Sequence, residues 1–137
     1  MKDVSGVSFD EDLRLMIFKP RGILDAKAIA ALVKSLEQEE DRCHEAFNRF
    51  TDTSKLDALD LDERFVYRIA LHRRRFYEGR QPVKSAFYIT SSAAGRYVRI
   101  HAAVTENSPL QVKIFRDLDP AANWLGVPRA ALADDAG

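Results

Sequence analysis

Residues 110–126 carry a strand signal that runs straight into a short helix signal. Leu110, Val112 and Ile114 alternate with Gln111, Lys113 and Phe115, the period of two expected of a strand. Asp119 is placed to cap the helix, Pro120 sits where a missing N–H costs nothing, and Gly126 supplies a left-handed stop. Trp124 and Leu125 remain to pin the helix onto a sheet. Similar strand-to-helix signals recur upstream, so this unit constrains the architecture more tightly than any motif constrains the chemistry.

Val7 and Phe9, then Leu13, Leu15 and Ile17, bracket the acidic turn Asp10, Glu11 and Asp12 and predict a hairpin. Met16 and Phe18 make its second strand apolar on both faces, as befits a strand covered on two sides. Pro20, Arg21 and Gly22 break it, and Asp25 is placed to cap the next helix. There Ile29, Leu32, Val33 and Leu36 form the apolar stripe, Lys27, Lys34, Glu37 and Gln38 are expected to face water, and residues 39–42 read as a polar exit. A short strand over 46–50 ends at Thr51, Asp52, Thr53 and Ser54. A long helix is predicted from about Asp60 to Tyr77, a strand from Val83 to Thr90, and a helix capped by Ser91 or Ser92 and running to about Val104.

The order β-β-α-β-α-β-α-β-α predicts a single α/β domain over residues 1–127. Strands alternating with helices imply a mixed, mainly parallel sheet of about five strands with helices on both faces, only the first strand running antiparallel. Residues 128–137 have no evident packing partner and read as a flexible tail.

A chain of 137 residues is enough for one core. Its formal net charge is zero although 31% of residues are charged, which argues against a generic nucleic-acid or membrane-surface binder. No apolar run approaches the ~20 residues that span a bilayer, and the first residues lack the apolar stretch of a signal peptide. Cys43 is the single cysteine and fits a reducing compartment. The expectation is a soluble cytoplasmic protein without a cofactor.

The loop Thr51 to Lys55 follows a central strand, at the sheet edge where open α/β folds bind ligands. Asp52, Thr53 and Ser54 could hold a small polar ligand, or could simply satisfy the N–H groups of their own turn. Ser91 and Ser92, near Gly95 and Arg96, could admit an anion to a helix start. Arg64, Arg68, His72 and Arg75 share one flank of the long helix and offer an interaction surface, either for the acidic stretch 37–62 or for a partner; a solvated face is the simpler reading. Arg73, Arg74 and Arg75 diverge by about 100° per residue and cannot form one stripe. Cys43 and His44 are adjacent on one segment and do not converge on a common centre. His101 lies three or four residues from Tyr97, Val98 and Val104, as a histidine at the edge of the core would. His44, His72 and His101 lack metal-ligand spacing, and no phosphate-binding or nucleophile motif is present. No catalytic set is expected.

The element order, residues 50–54 closing a strand with Asp52 and its hydroxyl neighbours, and the terminal Phe115, Ala121, Trp124 and Leu125 pattern resemble the SpoIIAA-like (STAS/SEC14-type) family over roughly Val7 to Val127. The resemblance implies a mixed, mainly parallel sheet flanked by helices. Anti-sigma-factor antagonists of this fold are phosphorylated on a serine at the start of a helix; the matching stretch here, Leu59 to Glu63, has no hydroxyl residue, although Thr53 and Ser54 lie nearby. An α/β core of this type without a catalytic set predicts a non-enzymatic regulatory or protein-interaction module, and more large apolar residues at element ends (Phe18, Phe47, Phe76, Tyr77 and Phe115) than one small core needs predict that it forms a homodimer. The alternative is a small-molecule or lipid-binding protein using the loop at Asp52–Ser54.

Overall fold

A computed structural model of the chain describes residues 5–133. The five-stranded sheet is built from β1 (Val7–Asp10), β2 (Leu15–Phe18), β4 (Asn48–Asp52), β6 (Val83–Tyr88) and β7 (Leu110–Phe115), side by side in that order. β1 pairs antiparallel with β2, and every other pairing in this sheet is parallel. The connections are α1 (Ala26–Cys43), α2 (Glu63–Tyr77) and α3 (Ser92–Val104), followed after β7 by α4 (Leu118–Leu125) and α5 (Arg129–Leu132). The mixed, mainly parallel α/β architecture matches the sequence expectation.

Strand order explains the layering. β2, β4, β6 and β7 are laid down in one direction, so right-handed crossovers put α1, α2 and α3 on the same face. The period of two then sorts the strand side chains. Leu15, Phe50, Ala86 and Phe115 pack against Ala121, Ala122, Leu125 and Leu132 on the α4–α5 face. Met16, Phe18, Arg49, Ser85 and Phe87 point to the opposite face, beneath α1–α3.

Several local expectations need correction. Pro20 to Gly22 do not end extended structure: β3 (Gly22–Asp25) pairs in parallel with β5 (Leu56–Asp60) as a separate ribbon, Leu24 opposite Leu59. α2 consequently begins at Glu63, where Asp62 Oδ1 accepts the Phe65 N–H at 2.7 Å. Residues 39–42 continue α1, which ends only where His44 turns left-handed at φ 55°. In that helix Glu37 is buried, contrary to its assignment to the wet face. Asp117, not Asp119, occupies the cap position of α4, while Gly126 stops it at φ 73° as expected.

Within the expected loose tail, residues 129–132 form α5; residues 134–137 lie outside the described residues. The sequence reading missed its anchor: Leu132 is completely buried with Leu15 and Phe50, and Lys19 Nζ donates to its carbonyl at 2.8 Å. Leu132→Ala is therefore expected to cost about 2–4 kcal/mol, read as a lower urea midpoint with an unchanged slope. A change under about 0.5 kcal/mol would match the unpacked tail instead.

Candidate functional site

The loop singled out from sequence spends its polar groups on itself and on the neighbouring strand. Asp52 Oδ1 accepts from the Ser54 backbone N–H at 2.8 Å and from the Ser54 hydroxyl at 2.6 Å. Thr53 donates its hydroxyl and its N–H to the Tyr88 carbonyl, at 2.8 and 3.1 Å. Ser91 Oγ caps α3 by accepting the Ala94 N–H at 3.2 Å, and Ser92 is exposed in the first turn. Arg64, Arg68, His72 and Arg75 are all exposed along α2. Part of that flank meets the acidic helix of the same chain: His72 Nε2 lies 2.8 Å from Glu37 Oε1, and further along Arg80 pairs with Asp41 at 2.9 Å.

Inside, Thr53 of this loop joins a larger group of residues that sequence did not single out as a site. Between the sheet and α1–α3 lies a chamber of about 120 Å³. Phe18, Leu32, Val33, Val66, Ile69 and Val98 make its walls apolar. Leu24 and Leu59 of the β3–β5 ribbon also line it. A cavity of roughly 150 Å³ accepts benzene, so a compact apolar body fits this space.

The same chamber is lined by Arg49, Arg73, Ser85 and His101. Met16, Arg49, Ser85 and Val112 are successive cross-strand partners, which sets Arg49 beside Ser85 on the sheet floor. Arg73 comes down from α2, on the buried stripe that also carries Val66, Ala70 and Tyr77. His101 follows Ala94 and Val98 on the buried stripe of α3, its ring 5.9 Å from that of Phe87.

The two buried arginines differ in their company. Arg49 Nη2 donates to Glu40 Oε2 at 2.8 Å and to the Phe47 carbonyl at 2.8 Å, while Nη1 donates to the Tyr77 hydroxyl at 2.7 Å. Tyr77 in turn donates to Glu40 Oε1, and Glu40 Oε2 also accepts the Phe47 N–H at 2.9 Å. That network is closed. Arg73 is also buried, but its Nε and Nη2 have no protein partner, and neither do Ser85 Oγ and the two His101 ring nitrogens.

Burial pushes the His101 imidazole down to about 3, and the Arg73 and Arg49 charges add to the effect. The histidine is accordingly neutral at ordinary pH. Burial also lowers Arg73; Tyr77 opposes the shift and the Arg49 charge reinforces it. A guanidinium nevertheless keeps its proton, so Arg73 remains a buried cation. Arg73→Met should then stabilise the protein by about 1 kcal/mol, since it removes a desolvated charge that no carboxylate pairs directly, less the favourable Glu37 contribution. Urea unfolding would show this as a raised midpoint, whereas a large loss would mean that the arginine holds the fold together.

Sequence reasoning missed Arg49, Arg73 and Ser85 and saw His101 only as a core-edge histidine. The available signal was a charge at a stripe position: Arg73 lies seven residues after Val66 and four before Tyr77. Among the described residues no three His, Cys, Asp or Glu side chains gather as metal ligands, and no helix is long and apolar enough to cross a membrane.

The sequence matches no family model and no curated protein. In structure the chain is similar to an uncharacterised DUF3478-family protein from Shewanella loihica PV-4 with a SpoIIAA-like fold. The TM-score is 0.56 at 19% identity, covering 88% of this chain and 90% of that one. With the parallel sheet, its antiparallel edge strand and the α1–α3 layer, this likeness makes the chain a single α/β domain of the SpoIIAA-like fold.

Proposed function

We propose that the protein is a non-enzymatic regulatory module that takes a small molecule into its interior chamber. The observation that carries this reading is the chamber itself, apolar along its walls and furnished with polar side chains that have unused hydrogen-bonding capacity. Cores are ordinarily packed without such space, and buried polar atoms ordinarily have partners. The Asp52–Ser54 loop is a weaker candidate because its hydroxyls and carboxylate already bond one another or the neighbouring strand.

Toluene is a suitable neutral probe of the chamber. Methyl-resolved NMR during a toluene titration should move the resonances of Leu32, Val33, Val66, Ile69 and Val98 together and saturably. Shifts scattered over the surface, or none at millimolar toluene, would remove the reading.

A second reading, a self-associating interaction module, draws support from two large apolar side chains left in water. Ile23 on the ribbon is 68% exposed, and Tyr67 is 54% exposed beside the Arg64, Arg68, His72 and Arg75 flank of α2. Light scattering on a dilution series should show a homodimer if this reading holds. A monomer at high micromolar concentration would count against it.

A further inference from the structure

We infer that the chamber takes a compact monocarboxylate, its apolar body against the aliphatic walls and its carboxylate on Arg73, Ser85 and His101. The inference rests on the proposed chamber reading and adds the chemical class of the occupant.

The unused atoms specify an acceptor-rich head group. Nε–H and Nη2–H of Arg73 lie along one edge of the guanidinium and form the fork that grips a carboxylate through two parallel bonds. Ser85 brings a hydroxyl donor, and a neutral His101 brings one N–H. Arg73 is 7% exposed, Ser85 1% and His101 8%, so none of them is served by bulk water. An ionised carboxylate is acceptor-only and can use every one of these donors. A neutral alcohol or amide could use fewer.

Charge limits the ligand further. Glu40 balances Arg49. Among the described residues no carboxylate forms an ion pair with Arg73, although the Glu37 charge acts favourably on it, so the chamber offers at most one positive charge, partly offset. That matches a monoanion and leaves a phosphate dianion with one charge too many. Size agrees, because about 120 Å³ holds a ring or a short branched chain rather than a long acyl tail.

Glu37 is the internal rival. Its Oε1 is engaged with His72, its buried Oε2 has no partner, and its charge acts favourably on Arg73. Removing that charge should make the pocket more receptive to an anion.

The test is calorimetric titration of the full chain with benzoate, benzyl alcohol and toluene, together with the NMR signal of the Arg73 Nε–H. Benzoate should bind at least tenfold more tightly than benzyl alcohol and shift the Arg73 Nε–H resonance. Arg73→Met should lose that preference yet still bind toluene, and Glu37→Gln should bind benzoate several-fold more tightly. If Arg73→Met does not fold, Arg73→Lys and Ser85→Ala replace it, each expected to weaken benzoate several-fold. Toluene binding without benzoate binding would overturn the carboxylate inference and leave the chamber reading intact. Binding of neither probe would overturn both. Benzoate binding that ignores Arg73→Met, or leaves the Nε–H signal unmoved, would place the anion elsewhere and overturn the inference.

Discussion

Arg49→Met is expected to destabilise the protein by about 3–5 kcal/mol, because it strands the Glu40 carboxylate in the interior without its cation. Both side chains are only 2% exposed, so water cannot take over from the lost partner. The companion variant decides whether charge or packing is responsible. Glu40→Gln/Arg49→Met removes both charges, and the amide oxygen can still accept the Phe47 N–H. The double variant should recover at least half of the single variant's loss. Urea midpoints of the wild type and the Glu40→Gln, Arg49→Met and double variants form the cycle. Simple additivity would mean that the two groups do not act as a pair.

The second large effect is acid sensitivity through His101. Its folded pKa of about 3 lies below the ordinary 6.5, so the unfolded chain takes up the proton first as pH falls. The stability tied to the neutral ring is fully present above pH 6.5 and is lost as pH drops towards 3. At 1.36 kcal/mol per unit the loss reaches roughly 2–3 kcal/mol by pH 4.5. Burial is the largest cause, and the charges bearing on the ring come from Arg73 on α2 and Arg49 on β4. His101→Leu deletes the titrating group, so its urea midpoint should fall less between pH 7 and pH 4.5 than that of the wild type. Parallel curves for the two proteins would assign the acid response to other groups.

What could be read from the chain follows from how locally each signal is encoded. The main sheet was legible because Leu110 to Phe115 and Leu15 to Phe18 carry their pattern within a few residues, and Asp25, Ser91 and Gly126 punctuate the helices. The ribbon was not legible. Gly22 to Asp25 and Leu56 to Asp60 are short, and each becomes a strand only by pairing with the other across more than thirty residues. Leu132 escaped for a similar reason, since its slot is assembled from strands far earlier in the chain. The chamber's polar group posed the harder problem. Arg73 sits in a run of three arginines whose neighbours behave differently: Arg74 donates to the Val104 carbonyl at 3.0 Å and Arg75 is exposed. Only the crossing of α2 over the sheet distinguishes them. Asp52 and Ser54 drew notice because they stand at a sheet edge suited to ligands, and the distances there describe a self-contained turn.

The ribbon ties two of the three helical walls of the interior to one another. Asp25 both ends β3 and caps α1, while only Leu61 and Asp62 separate β5 from α2. The leading turns of both helices therefore hang from one pair of hydrogen-bonded strands. A substitution that disturbed this one pairing would bear on the start of both helices at once, not on either alone.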